Sequence, residues 1–156
     1  MKLKYLTNNP SQTRKLAEAM SKMILKMEPP ESAFVIGLEG DLGGGKTTFL
    51  QGFAKGLRIK EKILSPTFVI MKKFKIRADS RSNSCGFVYF YHIDCYRVKK
   101  PKELLDLGFK KIITDPQNIV AIEWAEKIKN IIPGAAVWIK FEFINQNTRR
   151  ITTTTK

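Results

Sequence analysis

A glycine-rich segment in the first third of the chain restricts the possible folds more than any other part of the sequence. It spans residues 40–47, reads GDLGGGKT and matches the pattern G-x-x-x-x-G-K-[ST] in full. An apolar run at 34–38 precedes it, and a stretch at 46–57 with apolar residues on one helical face follows it. Strand, glycine loop and helix in this order predict a loop that binds phosphate through backbone N–H groups and the helix N-terminus.

The positions of this loop have expected roles at a bound nucleotide. Lys46 is expected to reach the β- and γ-phosphates, Thr47 to bind Mg²⁺ through its hydroxyl and Thr48 to touch the α-phosphate. The chain has no N-K-x-D sequence, which reads guanine, so a GTPase is disfavoured, although no pattern in the sequence selects adenine positively. We expect a P-loop ATPase with ATP and Mg²⁺ as its ligands. The residues predicted to contact the nucleotide are Asp41, Leu42, Gly43, Gly44, Gly45, Lys46, Thr47 and Thr48.

The rest of the pattern predicts one α/β domain. Asn9 is a predicted N-cap for a helix that begins at Pro10 and continues to about Met27. Further strands are predicted at 68–74, 87–93, 119–122, 137–143 and 150–154, short helices at 102–107 and 125–129, and a polar loop at 77–86. Together with the phosphate loop these elements predict a P-loop NTPase fold over residues 1–156, with three α/β/α layers and a central, mostly parallel sheet.

Two of the predicted strands end in an acidic residue. The apolar run 87–93 leads into Asp94, and the run 119–122 leads into Glu123. If both strands are parallel to the strand before the phosphate loop, their carboxyl ends open into the same crevice. Either acid could then hold Mg²⁺, directly or through water.

Three further residues are candidates with a weaker signal. Thr67 follows Ser-Pro between the phosphate-loop helix and the next strand, where P-loop proteins place a segment that senses the γ-phosphate. His92 is expected to pack or to form a hydrogen bond rather than to act in catalysis. Trp124 is either a nucleotide or partner contact or part of the core, and the sequence leaves both open.

The composition limits the class of protein and its partners. The 156 residues include 28 Lys and Arg against 14 Asp and Glu, a net charge of +14 that favours polyanions such as nucleic acid. With Cys85, Cys95 and one histidine the chain cannot assemble a zinc-type ligand set, so a reduced, cytoplasmic protein is expected. No apolar run has the length of a signal peptide core or a membrane span, and no membrane association is predicted.

Five sequence elements together resemble the TsaE (YjeE) family of ATPases. Besides the phosphate loop they are SPTF at 65–68, HIDCYR at 92–97, ELLDLG at 103–108 and IEW at 122–124. Their order and spacing cover most of the chain. Phosphate loops occur in many families, whereas the H-x-D-x-Y-R and I-E-W patterns are much more specific.

The resemblance implies a slow, Mg²⁺-dependent and partner-stimulated ATPase. It implies a role in threonylcarbamoyladenosine modification of adenosine 37 in tRNA, with TsaB- and TsaD-type proteins as partners and the transfer chemistry done by the partner. In that setting Lys46 binds phosphate, and Thr47 holds Mg²⁺ together with Glu123. Asp94 completes the metal or water site, and Thr67 belongs to the switch segment. The tRNA is reached through the complex or contacted directly.

Two other functions fit a phosphate loop. A kinase for a nucleoside or another small molecule needs a lid that brings arginines to the phosphate, and no arginine-rich lid is visible in the sequence. A nucleotide-dependent switch with negligible hydrolysis is not separated from an ATPase by the sequence. The chain departs from the resembled family in Gly44, where alanine is usual, in Cys95, where leucine is usual, and in its basic charge.

Overall fold

The computed structural model describes residues 1–64, 69–77 and 86–155. In these residues the strands are β1 (Lys2–Thr7), β2 (Phe34–Gly40), β3 (Met71–Lys75), β4 (Tyr89–Asp94), β5 (Asn118–Glu123), β6 (Val137–Phe143) and β7 (Arg149–Thr154). The helices are α1 (Pro10–Ile24), α2 (Lys46–Gly56), α3 (Lys102–Asp106), α4 (Phe109–Thr114) and a 3₁₀ helix (Ala125–Ile131).

The strands described form one mixed sheet in the order β1-β7-β6-β2-β5-β4-β3. The four central strands are parallel, whereas the pairs β1–β7, β6–β7 and β3–β4 are antiparallel. The predicted α/β fold is confirmed, with the parallel pairing confined to the centre of the sheet. Hairpins at both sides cause this, because β6–β7 and β3–β4 are each joined directly along the chain.

Helices cover both faces of the sheet. On one face α1 and α2 pack over side chains that include Ile36 and Leu38 of β2. On the other face α3, α4 and the 3₁₀ helix pack over side chains that include Val35 of β2 and Val120 of β5. Successive strand residues point to opposite faces, so a central strand that is apolar throughout supplies both cores.

The closest helix packing lies between α1 and α2. A Cβ atom built on Gly52 would lie 2.1 Å from the backbone oxygen of Arg14, and one built on Gly56 would lie 1.9 Å from Ser21 Oγ. Neither site has room for a side chain. The two glycines therefore set how closely α2, the helix that follows the phosphate loop, approaches α1.

Several boundaries differ from the sequence predictions. The Asn9 cap is confirmed, since its side chain accepts a hydrogen bond from the Gln12 N–H at 2.9 Å, but α1 ends at Ile24. The segment predicted as a helix at 125–129 is a 3₁₀ helix, and β1 and α4 were not predicted. The predicted strand at 68–74 appears as β3, and Phe68 lies outside the described residues. Residues 78–85 of the predicted loop also lie outside them.

The length and hydropathy of the helices bear on whether they could cross a membrane. Among the described residues, no helix combines the length and the hydropathy that crossing a bilayer requires.

Candidate functional site

The loop between β2 and α2 has the backbone that its glycines predict. Gly40, Gly43 and Gly45 have φ angles of 131°, 74° and 98°, in the region that L side chains rarely adopt. A Cβ atom on Gly40 would also lie 2.3 Å from the backbone oxygen of Phe141 on β6. The loop thus leaves β2 beside a neighbouring strand and turns tightly into the N-terminus of α2, where an anion is favoured.

A cleft of about 610 Å³ lies in front of this loop. It is bounded by the loop, by the segment before β3 and by the carboxyl ends of β4 and β5. All of the predicted nucleotide contacts except Asp41 line it. The residues lining the cleft are Leu42, Gly43, Gly44, Gly45, Lys46, Thr47, Thr48, Val69, Ile70, Asp94, Tyr96, Arg97, Glu123 and Trp124.

Lys46 lies at the base of the loop and is only 5% exposed. Its ammonium donates hydrogen bonds to the carbonyl oxygens of Gly40 and Asp41, at 2.5 and 2.9 Å. The same nitrogen lies 4.0 Å from the ring centroid of Trp124, a cation–π distance. Burial lowers the pKa of Lys46, and the nearby carboxylate of Glu123 partly opposes this change.

The two predicted acids are brought together at the same end of the sheet. Asp94 and Glu123 are register partners on the parallel strands β4 and β5, and both line the cleft. Glu123 is 2% exposed, and its Oε2 lies 3.3 Å from the hydroxyl oxygen of Thr47. Asp94 accepts a hydrogen bond from the backbone N–H of Tyr96 at 2.9 Å. The structure therefore places Glu123 beside Thr47, and Thr47, Glu123 and Asp94 are the three predicted magnesium ligands.

His92 and Trp124 have clear positions. The ring of His92 is buried and donates through Nε2 to Glu123 Oε1 at 2.8 Å, as the expectation of a hydrogen-bonding role stated. Trp124 has a left-handed backbone with φ 58° and ψ 38°, and its ring lies 5.2 Å from that of Tyr96. Trp124 packs against the core, which confirms that interpretation, and it also lines the cleft, where contact with a nucleotide or partner stays a prediction.

Cys95 behaves as a small apolar residue. It is fully buried next to Asp94, and this burial raises the pKa of its thiol to about 12. A neutral, buried thiol packs as a small apolar side chain.

Arg149 is a contact of the phosphate loop that the sequence did not indicate. Its Nη2 donates to the carbonyl oxygen of Gly43 at 3.2 Å, and its Nη1 donates to the carbonyl oxygen of Asn145 at 2.8 Å. One guanidinium thus joins the phosphate loop to the turn between β6 and β7. No motif signals this, because Arg149 reaches the loop only through the order of strands in the sheet.

Few acidic side chains in the described part of the site could bind a metal ion. Within the described ranges, no group of three or more His, Cys, Asp or Glu side chains could hold a metal ion. Among the described residues that line the cleft, the predicted metal ligands are Thr47, Glu123 and Asp94. This small set suits Mg²⁺, which uses one or two carboxylates and takes its other ligands from phosphates and water. Thr67, the predicted switch residue, lies outside the described residues.

Comparisons with known proteins agree on one family. The family model described as threonylcarbamoyl adenosine biosynthesis protein TsaE matches residues 7–151. The TsaE protein of Bacillus subtilis is 36% identical over 152 residues, which cover 97% of this chain and 85% of the relative. The TsaE protein of Rickettsia felis is 31% identical over 145 residues, which cover 92% of this chain and 75% of the relative. The crystal structure of Bacillus subtilis YdiB superposes with a TM-score of 0.73 at 30% identity, over 99% of this chain and 86% of that one. The chain therefore belongs to the TsaE family of threonylcarbamoyl adenosine biosynthesis proteins.

Proposed function

We propose that this chain binds ATP with Mg²⁺ in the cleft and hydrolyses it slowly, in support of threonylcarbamoyladenosine formation at adenosine 37 of tRNA. The observation that carries the proposal is the 3.3 Å approach of the Thr47 hydroxyl to the buried Glu123 carboxylate. A hydroxyl at the start of the helix after a phosphate loop and a carboxylate on a neighbouring strand are the protein groups that hold Mg²⁺ in P-loop proteins. Membership of the TsaE family supports the connection with tRNA.

The residues around this pair have distinct tasks in the proposed reaction. Bound Mg²⁺ supplies neutralisation of the charge on the phosphate oxygens. His92 fixes the Glu123 carboxylate by bonding Oε1, so that Oε2 stays directed toward Thr47. Asp94, the register partner of Glu123 on the neighbouring strand, orients the attacking water.

Lys46 is the proposed phosphate ligand. Its ammonium is bonded to two loop carbonyls, and charged phosphate oxygens form stronger hydrogen bonds than carbonyls do. The ammonium therefore exchanges the carbonyls of Gly40 and Asp41 for phosphate oxygens when nucleotide enters. The Trp124 ring beneath it keeps it at the base of the loop. The sensing role of Thr67 stays a prediction, since Thr67 is not among the described residues.

The mouth of the cleft favours a protein partner. Three large apolar side chains of the lining are exposed there, namely Leu42 at 77%, Val69 at 56% and Tyr96 at 50%. Exposed apolar groups clustered at one cleft are typical of a surface that another protein covers. We assign this rim to the TsaB- and TsaD-type partners, whose docking over the nucleotide would stimulate hydrolysis.

Turnover of ATP by Glu123→Gln tests the proposal. The change keeps the size of the side chain and its bond to His92 but removes the charge that faces Mg²⁺. We expect the rate of phosphate release with Mg²⁺ and partners to fall about 100-fold, and chelation of Mg²⁺ to stop turnover by the unchanged protein. The matched control is Glu61→Gln, the same chemical change at an exposed position, which should keep the original rate.

The products of the same assay separate the other functions. Phosphate transferred to a small acceptor instead of water would replace the ATPase with a kinase. ATP binding without any release of phosphate, even with partners, would leave a nucleotide-dependent switch. Equal rates for Glu123→Gln and the unchanged protein would refute the proposed magnesium site.

Loss of the Arg149 side chain should weaken ATP binding more than it slows turnover. Arg149→Ala removes the bond to the Gly43 carbonyl and frees the loop to adopt other backbone conformations before nucleotide binds. We expect KM for ATP to rise about fivefold with kcat nearly unchanged, since one charged hydrogen bond at a partly exposed site is involved. The neighbour Arg150, exposed on the same strand, provides the control Arg150→Ala. A larger fall in kcat than in affinity would show that Arg149 touches the reacting phosphate.

A further inference from the structure

The edge of the sheet formed by β3 and β4 carries a face that the nucleotide site does not use. Lys73 and Lys75 of β3 are exposed, and they pair in register with Tyr91 and Tyr89 of β4, which are half-buried. Since alternate residues of a strand share a face, these four side chains lie together on one side of the hairpin. We call them the lysine–tyrosine face.

Lys73 is held over this face by aromatic contacts. Its ammonium lies 3.7 Å from the ring centroid of Tyr89 and 5.6 Å from that of Tyr91. Cation–π attraction keeps the charge close to the sheet, so less side-chain freedom is lost when an anion binds it. The Lys73 side chain is exposed, so its ammonium can bind a phosphate from the solvent side.

The surroundings of the face are strongly basic. In the described parts of the hairpin, 69–77 and 86–94, the basic residues are Lys72, Lys73, Lys75 and Arg77, and the acidic residue is Asp94 at the cleft end of β4. Successive lysines on one face of a strand are about 7 Å apart, a spacing on the scale of neighbouring phosphates in an RNA strand. The face therefore offers a short row of positive charge, and the carboxylate in the described part of its hairpin, Asp94, lies at the end of β4 that lines the cleft.

The face also runs toward the nucleotide cleft. The strand β4 that carries Tyr89 and Tyr91 ends at Asp94, and the segment that precedes β3 contains Val69 and Ile70, all of which line the cleft. A ligand on the lysine–tyrosine face would thus lie along the same two strands that end at the nucleotide. An RNA bound on this face would lie next to the cleft in which the nucleotide is proposed to bind.

We propose that the lysine–tyrosine face binds the phosphate backbone of tRNA directly. The row of lysines, the four basic residues against one acid in the described hairpin and the net charge of +14 all fit a polyanion. The choice of tRNA as the RNA rests on the proposed function. The phosphate contact itself does not, because it needs neither ATP nor hydrolysis.

The opposite edge of the sheet provides a matched control. There β1 carries Lys2 and Lys4, which are also two residues apart and exposed, but their register partners are Thr154 and Thr152. Lys73→Gln/Lys75→Gln and Lys2→Gln/Lys4→Gln remove the same charge from the same kind of edge strand. A difference in tRNA affinity between these two variants would reflect the position of the lysines and not the loss of total charge.

The experiment measures binding of a fluorescently labelled, unmodified tRNA transcript to the full chain without nucleotide, over a series of salt concentrations. We expect Lys73→Gln/Lys75→Gln to weaken binding about tenfold at moderate salt and to reduce the salt slope by about 1.5, because two phosphate contacts are lost. The Lys2→Gln/Lys4→Gln variant should change affinity less than about twofold. ATP turnover of both variants in the absence of RNA should equal that of the unchanged protein.

The other outcomes overturn the proposal. Equal weakening by both double variants would mean diffuse attraction with no site on the β3–β4 face. Unchanged tRNA affinity with a loss of partner-stimulated turnover in Lys73→Gln/Lys75→Gln would assign the face to an acidic protein partner instead. Failure of the proposed ATPase appears separately, as absent turnover in the unchanged chain, and leaves the tRNA measurement intact.

Discussion

Lys46→Ala is expected to reduce the affinity for MgATP by about 100-fold or more. The ammonium of Lys46 is the buried cation at the base of the phosphate loop, and its partners are the loop carbonyls of Gly40 and Asp41. A nucleotide phosphate bound there without the lysine would lose a charge-assisted hydrogen bond in a partly desolvated site, a loss of about 3 kcal/mol or more. Calorimetric titration with MgATP measures the change directly.

The control for this prediction lies on the same helix. Lys55 is near the other end of α2 and largely exposed, with its ammonium 3.2 Å from Glu18, so Lys55→Ala should keep the original affinity. Circular dichroism of both variants establishes that each is folded. A folded Lys46→Ala protein that binds MgATP within a few-fold of the unchanged chain would disprove the assignment of this loop as a nucleotide site.

Gly52→Ala is expected to destabilise the fold, although alanine is ordinarily the better helix former by about 1 kcal/mol. The added methyl would lie 2.1 Å from the backbone oxygen of Arg14, and no backbone atom of α1 can move away without shifting the helix. We expect a loss of about 3 kcal/mol in the free energy of unfolding, and a melting temperature lower by roughly 6–12 °C. Thermal and urea unfolding measure both quantities.

Gly134 is the comparison residue for this change. A Cβ atom built on it meets no other atom within 4 Å, and its φ angle is not in the left-handed region, so Gly134→Ala should change stability by less than about 0.5 kcal/mol. If Gly52→Ala were as stable as the Gly134→Ala variant, the two helices would have to lie farther apart than described here. The conclusion that Gly52 and Gly56 set the distance between α1 and α2 would then be wrong.

The phosphate loop and its flanking elements were predictable from the sequence because they are local. The apolar run at 34–38, the glycines and the helical pattern after Lys46 are contiguous, and the structure has β2 and α2 around the loop. Asp94 and Glu123 were also predictable as a pair, since parallel strands bring their carboxyl ends to one edge. The sequence did not show which of these two acids lies against Thr47, because strand order and side-chain direction decide this contact.

Other features depended on contacts between distant parts of the chain. The first strand pairs with the last, Lys2 opposite Thr154, so neither the exposed pattern of β1 nor its place in the sheet could be read from its own residues. The helix α4 has 6 residues and begins directly after Gly108, so it is too short to show a periodic apolar pattern. Arg149 meets Gly43 only because β7 packs beside β6 at the loop.

Local chemistry in the sequence was therefore enough to identify the phosphate loop, the two candidate acids and the α/β class of the fold. The turn at the glycines and the apolar runs that end in the two acids depend on residues that are contiguous in the sequence. The tertiary structure alone decided that His92 orients Glu123, that Arg149 supports the loop and that lysines and tyrosines from separate strands share one face. These contacts depend on strand order and register, which are set by the packing of the whole sheet and not by any segment of it.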